Sequence, residues 1–164
     1  MKATVLIGAA LAAAVCSAAD VFNGKDLVGW TSVADHGVTG GYSAAEPTWS
    51  VVGGAIRTTG TPFGYLRTQR SDFGDFKLKV DYRWWRPTAQ PLSGIAKALA
   101  AGETSEKPFG EWNTLELEVR GDTLVSTLNG VVRNRVKGLK VRKGAIALPS
   151  EGGAVEFRNL TIAE

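Results

Sequence analysis

The sequence predicts an all-β protein, two antiparallel sheets packed face to face, and three observations carry that expectation. Apolar residues recur at every second position in several runs, the period of a strand with one buried face. The 20 glycines fall mostly between those runs, where Gly supplies the positive φ that tight turns require. Helical patterning is nearly absent: Ile95 to Ala101 is the one stretch that offers a helix, and its periodicity is thin. Strands at this density, without amphipathic helices to cover a sheet, favour sheet packed on sheet.

Taken in chain order, the first segment is Met1-Lys2, the Ala-rich run Ala3 to Val15, then Ser17-Ala18-Ala19. Its charge, apolar length and small-residue cleavage site read as a secretory signal peptide over residues 1–19. The run is too short to span a bilayer, which needs roughly 20 apolar residues. The expected mature protein is one domain, residues 20–164, periplasmic or secreted, with no membrane insertion after leader removal. A retained N-terminal helix, or lipidation at Cys16, is the alternative; Ala13-Ala14-Val15 is a poor lipoprotein context.

Downstream, Trp49 to Val52 and Ala55 to Thr58 flank Gly53-Gly54, a two-residue hairpin. Phe76 to Arg86 alternates Phe76, Leu78, Val80, Tyr82 and Trp84 against Lys77, Lys79, Asp81 and Arg83. Leu115/Leu117/Val119, then Leu124/Ser126/Leu128, then Val131 to Asn134 form consecutive hairpins through Gly121-Asp122 and Asn129-Gly130. Arg120-Gly121-Asp122 spells an adhesion tripeptide but reads as a turn. Ala145 to Leu148 and Ala154 to Ile162 supply two more strands. Phe157 breaks phase with Leu160 and Ile162, which predicts a bulge in the last one.

Composition removes several function classes. A formal charge of +3, reduced further when Lys2 leaves with the leader, gives no electrostatic footprint for nucleic acid. Cys16 is the only cysteine, so the mature chain has no disulfide and no thiolate metal site. The single histidine, His36, makes no zinc or iron cluster. No phosphate-binding glycine loop and no G-x-S-x-G elbow occurs.

The residues that remain as chemical candidates lie on strand faces and in turns. Asp81 and Arg83 share the polar face of the Phe76 strand, either as a solvated face or as part of a sugar site. Glu116 and Glu118 are spaced, by strand rise, about 6.5–7 Å apart, which suits an inverting acid–base pair but equally an ordinary soluble strand. Glu151 stands beside Gly152-Gly153, where small residues let a ligand approach or simply make a turn. Trp84 and Trp85 point to opposite faces, so at most one enters the core; the other offers an indole platform for a sugar ring.

Three blocks of the chain resemble the 3-keto-disaccharide hydrolase domain family, whose members are concanavalin-like sandwiches. They are Val21-Phe22-Asn23-Gly24-Lys25-Asp26-Leu27-Val28-Gly29-Trp30; Gly64-Tyr65-Leu66-Arg67-Thr68 through Gly74-Asp75-Phe76-Lys77-Leu78 to Arg83-Trp84 and Ser93-Gly94-Ile95; and Gly110-Glu111-Trp112-Asn113-Thr114 through Asn129-Gly130 to Ser150-Glu151-Gly152-Gly153 and Phe157-Arg158-Asn159. The resemblance implies a concanavalin-like jelly roll and a carbohydrate ligand. It also implies a hydrolase or lyase acting on 3-keto-glycosides, in which Asp81 occupies the acidic position of the family's E-x-R pattern and Glu151 that of its S-E-G-G block. Asp81 and Glu151 are accordingly the candidate catalytic residues, and Arg83, Trp85 and Arg67 the candidate substrate-binding residues, with a divalent metal as a possible cofactor. The chain departs from the family at Leu92-Ser93-Gly94-Ile95, where an asparagine is usual, and the short stretch Ala96 to Phe109 contains no E-x-Q strand. A non-catalytic carbohydrate-binding sandwich is therefore the second reading.

Overall fold

The computed structural model describes residues 18–34, 47–86, 105–140 and 143–164. The leader up to residue 17, His36, the helix candidate at 95–101 and the departure at 92–95 lie outside the described residues. Within them the chain is all strand: β1 (Ala19–Asp20), β2 (Trp30–Ala34), β3 (Trp49–Val52), β4 (Ala55–Thr58), β5 (Gly64–Thr68), β6 (Phe76–Arg86), β7 (Asn113–Arg120), β8 (Thr123–Leu128), β9 (Val131–Lys137), β10 (Ala147–Ser150) and β11 (Ala154–Ala163). No helix of the described residues is long and apolar enough to cross a membrane.

These strands form two antiparallel sheets. The large one runs β3-β4-β11-β6-β7-β8-β9, with β1 added to the far half of β11, and the small one runs β10-β5-β2. The hairpins expected at Gly53-Gly54, Gly121-Asp122 and Asn129-Gly130 are all present, with positive φ at Gly53, Gly54, Gly121, Asn129 and Gly130. The strands β1, β2 and β5 were not legible as strands. They are short, and β2 and β5 present their outer residues (Thr31, Tyr65, Arg67) to solvent.

Two-residue alternation decides which side chains meet between the sheets. Trp30 from β2, Leu66 from β5 and Leu148 from β10 pack on Trp49, Ile56, Val80, Val155 and Phe157 of the large sheet. A second cluster of Phe73, Leu78, Ile146 and Ile162 continues the core toward one end, with Leu117 half-buried against it. Ile56 and Leu66 are wholly enclosed, and truncating such residues typically costs about 2–5 kcal/mol.

The bulge expected in the last strand is real. Arg158 pairs with Asp81 but Thr161 pairs with Lys79, so β11 carries one extra residue. Asn159 absorbs it at φ 52°, a conformation that Asn tolerates better than most residues. The bulge restores Leu160 and Ile162 to the core face after Phe157. A second irregularity lies opposite: Val155 pairs with Trp84 and Ala154 with Arg86, leaving Trp85 as the extra residue of β6.

Candidate functional site

The polar positions of β6 face away from the core, and the neighbouring strands bring matching polar positions alongside. Register places Glu156 opposite Arg83 and Arg158 opposite Asp81 on one side of β6, with Thr114 opposite Asp81 on the other. On the next strand Arg57 lies opposite Glu156. One patch of the large sheet's outer face thus gathers three arginines, two carboxylates and two tryptophans.

Glu156 is the hub of that patch and is only 2% exposed. Arg57 Nε donates to its Oε1 at 2.8 Å, and Arg83 Nε donates to its Oε2 at 2.6 Å. Burial pushes this carboxyl up, but the two charge-assisted hydrogen bonds and the positive charge of Arg83 and Arg57 outweigh it, holding it below the usual carboxylate range. Glu156 is therefore a fixed anion that orients both guanidiniums.

Asp81 is one rung away and more open. Its Oδ1 accepts from the Thr114 hydroxyl at 2.7 Å and its Oδ2 from Asn159 Nδ2 at 2.7 Å. The second of these exists because the bulge turns Asn159 toward β6. Arg158 Nε lies 3.8 Å from the same Oδ2, beyond hydrogen-bond range.

The aromatic surfaces carry the arginines. Arg57 lies 4.2 Å from the Trp85 ring centroid, while Arg83 and Arg158 lie 4.5 and 3.8 Å from that of Trp112. Trp85 is tied down by its indole N–H, which donates to the Thr58 carbonyl at 3.0 Å. Trp84, as alternation requires, turns the other way, packs against the core and donates to Glu106 at 2.9 Å. Glu106 also accepts from the Tyr82 hydroxyl at 2.8 Å, and burial together with that carboxylate raises the phenol well above its ordinary value. Trp112 is placed by the segment before β7: buried Asn113 accepts from Lys107 N at 2.7 Å and from Asn129 Nδ2 at 2.8 Å, and Lys107 Nζ donates to the Trp112 carbonyl at 3.0 Å.

The expected site residues separate into groups. Asp81, Arg83 and Trp85 share the outer face of the large sheet. Glu151 does not join them: it follows β10 and lines a pocket of about 360 Å³ with Val33, Ala34, Phe63, Gly64 and Tyr65. Arg67 is exposed on the outer face of the small sheet, across the sandwich from Asp81. Glu116, half-buried, and Glu118, exposed, sit on the outer face of β7, within 3.8 Å of Lys77 and 3.5 Å of Arg120 respectively.

Arg57, Glu156, Arg158 and Trp112 were not singled out from sequence. A glutamate between Val155 and Phe157 points away from the core by period alone, but its burial comes from arginines 99 and 73 residues away. Among the described residues no group of three His, Cys, Asp or Glu could hold a metal ion. The carboxylates of this patch do not fit the divalent metal considered from the resemblance, since Glu156 is clamped by two guanidiniums and Asp81 faces a third.

Solved structures share this architecture. A candidate glycosyl hydrolase from Parabacteroides distasonis ATCC 8503 superposes with a TM-score of 0.64 at 16% identity, covering 90% of this chain and 99% of its own. A second candidate glycosyl hydrolase from the same organism gives 0.61 at 18% identity, covering 87% and 91%. The carbohydrate-binding module CBM66 from Bacillus subtilis gives 0.61 at 14% identity, covering 83% and 96%. At these identities the likeness establishes the fold, a two-sheet β-sandwich. None of the curated proteins matches the chain. The family described as the 3-keto-alpha-glucoside-1,2-lyase-like domain matches residues 17–96 and again 84–163. Those spans hold every strand from β1 to β11 and both sides of the Asp81 patch, and the chain belongs to that family.

Proposed function

We propose that the protein acts on 3-keto-glycosides at the outer face of the large sheet, with Asp81 as the base. The observation that carries this reading is the placement of Asp81 beside Arg158, which itself lies over the Trp112 ring, with family membership naming the substrate class. A ketone at C3 of a sugar acidifies the C2–H bond, so a carboxylate can take that proton while the aglycone leaves from C1. Indole faces such as Trp112 and Trp85 suit the C–H faces of a sugar ring, and Arg83 suits its oxygens. The leader-like N-terminus supports export to the periplasm or the medium.

Binding without turnover is the second reading, and one observation favours it. Both oxygens of Asp81 already accept hydrogen bonds, from Thr114 and Asn159, which occupies the lone pairs that a base would offer to a C–H proton. The two readings part in one assay: purified protein is incubated with a 3-keto-disaccharide, with and without a divalent metal, and free sugar release is followed beside a binding titration. Turnover lost in Asp81→Asn and kept in Glu151→Gln is the expected result, because Glu151 lines a different pocket. Binding with no turnover in the parent protein supports the module. No binding across 3-keto and unmodified disaccharides removes both.

A further inference from the structure

We infer that Arg158 is the group that holds the ketone oxygen of the substrate as negative charge develops on it. The inference rests on the 3-keto-glycoside reading above. When the C2–H bond breaks, its proton goes to the Asp81 carboxylate and its electron pair forms the C2–C3 double bond, leaving the charge on the C3 oxygen. As the carbonyl reforms, that pair shifts to C1–C2 and the C1–O bond breaks. The departing oxygen takes a proton from water, and the hydroxide left behind takes the proton from Asp81, so the balance closes without another reactant.

Such a charge needs a donor beside the base that is not already committed. Arg57 and Arg83 both donate to Glu156, and Thr114 and Asn159 both donate to Asp81. Arg158 differs from all four. Its Nε is closed off from solvent and, among the described residues, has no hydrogen-bond partner. The nearest carboxylate oxygen, Asp81 Oδ2, is 3.8 Å away. Stacking 3.8 Å from the Trp112 centroid fixes the guanidinium plane, and 40% of the side chain remains exposed, so the terminal nitrogens can meet a ligand. Base and oxyanion donor then address adjacent carbons of one sugar ring. The enclosed Nε is out of a ligand's reach, and the exposed terminal nitrogens make the contact.

The test uses the full-length protein with a 3-keto-disaccharide in D2O, following by NMR both deuterium incorporation at C2 and release of the free sugar. Arg158→Gln should lower kcat by on the order of 10²–10³-fold while leaving KM within about threefold, since the donor acts on charge that the ground state lacks. Arg158→Lys should recover part of the rate by restoring the charge. Thermal unfolding of each variant separates a folding defect from a chemical one. Equal rates in wild type and Arg158→Gln, or a loss confined to KM, overturn the inference while leaving the function standing. A wild-type protein that neither exchanges C2 nor releases sugar overturns both.

Discussion

Glu156 shows how one side chain organises the patch without facing a ligand. It is buried, but its partners are 28% and 36% exposed, so removing its charge leaves guanidiniums that water can reach. Glu156→Gln should therefore destabilise by about 1–3 kcal/mol, the scale of hydrogen bonds to charged groups, rather than the ~3–5 of a stranded buried ion. Because its folded-state pKa lies below the ordinary carboxylate value, its contribution is complete above about pH 4–5 and is lost as pH falls through the folded-state value. Urea titrations of wild type and Glu156→Gln should show a gap that is constant near neutrality and narrows in acid. A gap that widens on acidification would mean that the carboxyl is raised, not lowered.

At the scale of the strand, alternation makes a sharp claim about β7. Leu117 faces the second core cluster and Glu118 faces solvent, its side chain 47% exposed. Leu117→Ala should cost about 1–3 kcal/mol, less than the ~2–5 of a fully enclosed leucine, and Glu118→Ala about 0.5 or less. Equal costs would require a different register. What the sequence revealed of such elements follows from the range of the forces involved. Hairpins at Gly53-Gly54, Gly121-Asp122 and Asn129-Gly130 are fixed by local backbone preference, and the β11 bulge by the phase break between Phe157 and Leu160, so both were legible. Family motifs led to Asp81 and Arg83, and alternation to Trp85. The meeting of β4, β11 and β6 joins residues up to 99 apart in sequence, and nothing local at Arg57 or Glu156 signals it. Glu151 shows the converse: its motif is clear, yet the β10 strand carries it to a pocket beside Tyr65.

At the scale of the whole molecule the two sheets are unequal. The small sheet's three strands pack on β3, β4, β11 and β6 of the large one, and the β9 edge is exposed along all seven residues. Arg133, Arg135 and Lys137 punctuate that edge, and such charges discourage further strand pairing. Off that path, beside β11, β1 begins at Ala19, where it pairs with Ile162, and continues to Asp20, which pairs with Thr161. Intact-mass spectrometry of exported protein should find a chain shortened by about 19 residues and starting near Asp20; full-length chain or lipid on Cys16 would show that the leader is not cleaved as proposed.

The position of β11 has a further consequence. It lies between β4 and β6 in the middle of the large sheet, although its residues are the last strand in the chain. Until 154–163 have been synthesised, β4 and β6 have no common neighbour, and Arg57 and Arg83 have no counter-ion. A chain leaving the ribosome thus cannot close its central sheet early. If the chain is exported as proposed, that delay would keep the polypeptide open until passage is over and let β11 complete the sheet, and the patch it bears, on the far side.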